Sequence, residues 1–245
     1  NKKLFFSLLL LVMAAFTPAV AQQELTVCDG TEYNANLPIY GLYADAYTKS
    51  EFIIPATDLA EMNGGTITNL TWYLQKKASS SYGVANFQIY LKELDAETTT
   101  IDAYMGTDGA TKVYEGSLDG TQETMSVELT TTYKYNGGNL LVIVYNTVKG
   151  SYSSTYFYGI TATGASVTGY SSSSLDEVTC VQRNFLPKTT FTYIPEGGQI
   201  YYKPQNLQVT NIGTNNATLT WEAGGDETAW NVEYKKAADE EWTSA

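Results

Sequence analysis

Asn139-Leu140-Leu141-Val142-Ile143-Val144-Tyr145 is an almost unbroken apolar run entered from a turn at Gly137 and Gly138. A buried helix would need about ten or more residues, and this run is short and rich in β-branched side chains. It therefore predicts a central strand buried on both faces. The strands around it alternate instead. Leu70, Trp72 and Leu74 share one face, with Thr71, Tyr73 and Gln75 on the other, and Phe87, Ile89 and Leu91 repeat the pattern. Met125, Val127 and Leu129 are in phase, as are Tyr156, Tyr158 and Ile160, and further strands are expected near 166–170, 178–182 and 189–193. A period of two buries one face of each. Thr57 to Met62 gives the one helical hint, a single turn stopped by Gly64 and Gly65. Many short strands between Gly, Ser and Asp turns predict an all-β fold, a jelly-roll-type β-sandwich.

The ends of the chain read differently from its middle. Lys2-Lys3, the apolar stretch Leu4 to Phe16 and the small residues up to Ala21 form the pattern of a secretory signal peptide, 1–21, with cleavage expected after Ala21. The apolar stretch is short for a bilayer, which needs about 20 residues, so no transmembrane anchor is expected from it. No cysteine follows the cleavage site, so no lipoprotein anchor is indicated. The β-sandwich module is expected over 22–195, a linker over 196–203 beginning at Glu196-Gly197-Gly198, and a distinct segment over 204–245. A secreted or cell-surface protein is the expectation.

Setting aside Lys2 and Lys3 leaves 12 basic against 26 acidic residues, a net charge of −14, with Arg183 the one arginine. Such a chain cannot neutralise a phosphate backbone, which excludes nucleic acid as a partner. There is no histidine, which removes Ser-His-Asp and Cys-His catalysis and histidine-ligated zinc together. Neither a Gly-x-Ser-x-Gly elbow, a P-loop nor a Cys-x-x-Cys is present. A glycosidase needs two carboxylates about 5–9.5 Å apart, a criterion that 26 acids satisfy without selecting any pair. The expectation is a non-enzyme. Cys28 and Cys180 flank the sandwich module in a chain bound for an oxidising compartment, so a disulfide and two separately buried thiols both stay open.

Twenty tyrosines exceed what a core requires. The stretch Ser151 to Tyr158 and the run Tyr170 to Ser174 combine Tyr with Ser, a pairing of rigid amphipathic area with adaptable hydrogen bonding that suits a binding surface. Aromatic faces also stack on sugar rings. Tyr152, Tyr156 and Tyr158 are the first candidates for ligand binding, and Tyr82 in the earlier Ser-rich loop is the next. The plainer alternative is that Tyr and Thr are good residues for half-solvated strands. Loop acids Asp95, Asp102 and Asp108, with Glu97 and Asp119, form the pool for a structural calcium, although none has EF-hand spacing. No other cofactor is expected.

Pro204-Gln205-Asn206-Leu207-Gln208-Val209, Ala217-Thr218-Leu219-Thr220-Trp221 and Trp230-Asn231-Val232-Glu233-Tyr234-Lys235 together resemble the opening half of a fibronectin type III domain, a partial immunoglobulin-like sandwich. Thr26 to Gly30, Tyr40-Gly41-Leu42-Tyr43, Gly65 to Leu70, Val113 to Gly116, Tyr135 to Leu140 and Arg183 to Pro187 resemble sandwich modules of secreted Bacteroidetes-type proteins, similar to cleaved-adhesin and hemagglutinin modules. That resemblance implies a non-catalytic adhesion role, with a glycan or a host surface protein as partner, or a spacer presenting a neighbouring domain.

Overall fold

The computed structural model describes residues 22–197, 204–213, 216–223, 230, 232–235 and 243–244. The expected signal peptide, linker residues 198–203 and parts of the 204–245 segment lie outside them. The chain divides into a compact unit, Gln22–Gly197, and a second unit that includes residues from Gly198 onward. In the first, β1 (Gln23–Val27), β2 (Glu32–Asn34) and β3 (Tyr47–Ile54) precede a 3-10 turn at Ala56–Met62. Then come β4 (Thr66–Lys76), β5 (Asn86–Leu94), β6 (Thr111–Gly116), β7 (Thr124–Lys134) and β8 (Asn139–Val148). β9 (Tyr156–Ser171), β10 (Val181–Pro187) and β11 (Thr189–Ile194) complete the unit.

Pairing is antiparallel, in the order β1-β11-β4-β9-β3-β8-β5-β6, with β7 on β4 and both β2 and β10 on β9. β4 makes the corner. Its residues from Thr66 to Tyr73 pair with β11 and β7, whereas Leu74 and Lys76 pair with β9. One sheet thus curls into two packed layers, an all-β sandwich. The far edges meet where Thr130 Oγ1 of β7 donates to the Val113 carbonyl of β6 at 3.1 Å.

β8 lies between β3 and β5 and is buried on both faces. Leu140, Val142 and Val144 enter the main core with Trp72, Phe52, Phe87, Phe157 and Phe191. Leu141, Ile143 and Tyr145 point the other way, into a second cluster with Ile53, Val167 and Ile101. That outer face is covered by the segment between β5 and β6, through Tyr104, Met105 and Ala110, and by Leu175. Each fully buried aliphatic side chain contributes about 1.5–3 kcal/mol, so covering the outer face makes an apolar run more favourable than an alternating one.

Two expected strands, at 156–160 and 166–170, are one continuous strand, β9. Between the two expected strands lies the interval Thr161 to Ala165, which contains a glycine. Gly164 does adopt φ +66, but its N–H is satisfied by Asn184 Oδ1 at 2.8 Å, where the β9–β10 register shifts. The strand expected at 178–182 starts only at Val181. In the second unit β12 (Gln205–Thr210) pairs with β13 (Thr218–Glu222), Val209 opposite Leu219, and β14 (Glu233–Tyr234) pairs with β15 (Thr243–Ser244). Trp221 meets Trp230 edge-on, 5.6 Å between ring centres.

The Cys28–Cys180 disulfide is not formed; both thiols are free. Cys28 follows β1 in one layer, whereas Cys180 precedes β10 in the other and donates through Sγ to the Asp102 carbonyl at 3.7 Å. Burial, followed by the charge of Asp58, pushes the Cys28 thiol up to about 12. Because the thiolate is the reactive form, alkylation of native protein should label Cys180 alone. Both should label in denaturant without reductant. Failure of either to label in denaturant would show a disulfide.

Candidate functional site

The end of the sandwich beside β3 and β9 is closed by two segments, 35–46 and 149–155. Leu37 and Ile39 plug the first into the main core. Asn146, fully buried on β8, fixes its far side by donating through Nδ2 to the Ala44 and Ala46 carbonyls at 3.0 and 2.9 Å. The two segments touch backbone to backbone: Gly150 N–H donates to Ala44 and Thr155 N–H to Gly41. Glycine is required at both contacts. An added Cβ at Gly41 would stand 2.3 Å from Thr155 Oγ1, and one at Gly150 would stand 1.9 Å from the Tyr82 carbonyl oxygen.

On this base sits a group of tyrosines. Tyr43 stacks on Tyr170, the penultimate residue of β9, with ring centres 4.1 Å apart and planes at 9°. Tyr40 leans on both, 5.3 Å from Tyr43 and 5.4 Å from Tyr170. The phenols act on one another. Tyr43 is raised above its ordinary value, first by its hydrogen bond with Tyr170 and then by that group's charge, with a smaller contribution from Tyr152. Tyr40 is raised by burial, against which the guanidinium of Arg183 works. Tyr170 is 42% exposed and Tyr152 62% exposed, so this end presents aromatic area to solvent.

The four tyrosines expected to bind ligand are therefore divided. Tyr152 is exposed on the 149–155 segment and makes no ring contact with the stack among the described residues; its phenol acts on Tyr43 only through charge. Tyr156 lies elsewhere on β9, stacked on Tyr33 at 5.8 Å and under the Lys76 ammonium at 5.1 Å, and Tyr158 is paired opposite Tyr33 in register. Tyr82 is only 2% exposed, which corrects its reading as a surface residue. Its hydroxyl meets Thr155 Oγ1 at 3.0 Å, its carbonyl accepts from Ser151 N–H, and its ring packs on Phe87. It supports the 149–155 segment from beneath. Tyr40 and Tyr43 were visible in sequence only as a Tyr-Gly-Leu-Tyr motif, whose spacing does not reveal that Tyr170 would complete the stack.

The expected calcium ligands do not converge. Asp95, Asp102 and Asp108 lie along the segment that covers the outer face of β8. Asp95 Oδ1 accepts from Thr98 N–H at 3.0 Å, while the Asp102 and Asp108 carbonyls accept from Cys180 and from Lys92 Nζ. Among the described residues no group of three or more acids or cysteines could hold a metal ion. Nor is any helix among them long and apolar enough to cross a membrane.

Fold and site together define an all-β sandwich that displays clustered tyrosines on the two segments closing one end. No family model, curated protein or solved structure matches the chain.

Proposed function

We propose that this protein is a secreted or surface-displayed, non-catalytic module that binds a glycan through the face formed by Tyr40, Tyr43, Tyr170 and Tyr152. The observation that carries this reading is the Tyr43–Tyr170 stack at 4.1 Å, with Tyr40 against both rings and Tyr170 exposed to solvent. Stacked rings are fixed in advance, so a ligand meets flat aromatic area at little cost in side-chain entropy. The free ring faces suit the C–H surface of a sugar, and the phenol oxygens suit its hydroxyls. The fibronectin type III-like reading of 204–245 fits the same picture of a multidomain surface protein.

Binding of the full chain to a glycan and host-protein array tests this. Saturable glycan binding should fall at least about tenfold in Tyr43→Ala and Tyr170→Ala, a loss of about 1.4 kcal/mol, and stay unchanged in Tyr156→Ala. Loss in Tyr156→Ala alone would move the site to the Tyr33–Tyr156 pair. Binding only to proteins would replace the glycan reading, and no binding at all would leave a structural spacer.

A further inference from the structure

The outward face of the layer β1-β11-β4-β7 carries an open groove of about 330 Å3. Its walls and floor are in register across four strands. Glu24 of β1 stands opposite Thr192 of β11, Thr192 opposite Asn69 of β4, and Asn69 opposite Glu128 of β7. Neighbouring strands lie about 4.8 Å apart, so this row presents carboxylate, hydroxyl, amide and carboxylate over about 14 Å of sheet.

Floor and walls differ in how well they are satisfied. On the floor, Asn69 Nδ2 donates to Ser126 Oγ at 3.1 Å, and Thr71 Oγ1 donates to Asn69 Oδ1 at 3.1 Å. These groups hold one another in place before any ligand arrives. At the walls, Glu24 and Glu128 make no ion pair or hydrogen bond through their carboxylates among the described residues.

The geometry points to a binding site for a linear neutral oligosaccharide lying across the strands. The groove is lined by polar side chains, which excludes a lipid or an aromatic ligand. Two open carboxylates call for donors, and a polyol supplies them repeatedly along its length. Each carboxylate can accept two hydroxyls, in charge-assisted bonds about twice as strong as neutral ones. The volume lies at the low end of the ~300–1,000 Å3 typical of small-molecule sites, matching a short length of chain. A polyamine would use the two carboxylates but leave the hydroxyl and amide floor without a role. Stacking is not the mode of recognition here. Tyr73, the next residue outward on β4, has its ring covered by Lys188 Nζ at 4.5 Å and its hydroxyl engaged by Thr190 at 2.7 Å. The groove lies on the other layer from the Tyr43–Tyr170 stack, so the inference stands independently of the tyrosine face.

The test is amide-resolved NMR titration of the full chain with β-glucan, xylan, mannan and galactan oligosaccharides, and with spermine as contrast. One sugar series should shift the amides of Asn69, Ser126 and Thr192, with little dependence on salt. Glu24→Gln and Glu128→Gln should each weaken that binding about tenfold, while Tyr43→Ala leaves it unchanged. Both glutamates are exposed, so the variants keep the fold. The inference is overturned if no sugar shifts this row at millimolar concentration, if sugars shift only the tyrosine face, or if spermine alone binds and salt removes it.

Discussion

Glu51→Ala should lower the free energy of unfolding by about 3–5 kcal/mol, because it takes the shared acceptor away from three neutral donors. Glu51 is fully buried on β3, on the outer face shared with Ile143 and Val167. Its carboxylate accepts from Met105 N–H at 2.7 Å, from Gly106 N–H at 3.1 Å and from the Tyr145 hydroxyl. The Tyr145 phenol is raised accordingly, by burial first and then by the charge of Glu51. The two backbone donors belong to the segment that covers β8, so one side chain fastens that segment to the sheet. In the alanine variant three donors face a hole, each costing about 1–3 kcal/mol if left unmet. The segment will lift to let water in, and the second cluster around Leu141 and Ile143 will be wetted. Glu51→Gln keeps the volume and one acceptor oxygen and should cost about half as much. Urea unfolding gives the energies, and hydrogen exchange at Met105 and Gly106 gives the mechanism. A cost below about 1 kcal/mol with unchanged exchange would mean that apolar packing alone holds the cover.

That cover explains where sequence reading succeeded and where it stopped. The Asn139 to Tyr145 run was legible as a two-sided strand because hydrophobic period reports burial directly. What buries its second face was not, because the segment from Asp95 to Ala110 has no period and joins the sheet through Glu51, 44 or more positions away in the chain. Asp95, Glu97, Asp102 and Asp108 of the expected calcium pool lie on this cover, whereas Asp119 follows β6. β4 was legible as a strand from Leu70, Trp72 and Leu74, but not as the corner between layers, since a change of partner after Tyr73 leaves no mark on the alternation. The candidate site was legible only in part. Composition flags tyrosine, and Tyr152 and Tyr170 lie in the dense stretches. The stack itself needs residues 43 and 170 brought together, which depends on Asn146 and two glycines fixing backbone that sequence presents as loop.

Trp72→Ala should cost about 3–5 kcal/mol, as truncation of a buried aromatic does, whereas Trp72→Phe should stay within about 1 kcal/mol of the parent. Trp72 is fully buried in the main core, on the part of β4 flanked by Thr189 of β11 and Met125 of β7. Alanine there opens a cavity between two rigid layers that cannot collapse into it, because both are held by their own strand pairing. Phenylalanine also loses volume, yet it removes a liability. Trp72 Nε1 is buried with no hydrogen-bond partner among the described residues, and an unmet buried donor costs about 1–3 kcal/mol. Deleting that donor offsets most of the packing lost with the second ring. The difference between the two variants therefore measures the indole N–H as well as ring volume. If phenylalanine proves as costly as alanine, the N–H must be satisfied, by a water held between the layers, and the core around β4 is wetter than its apolar lining implies.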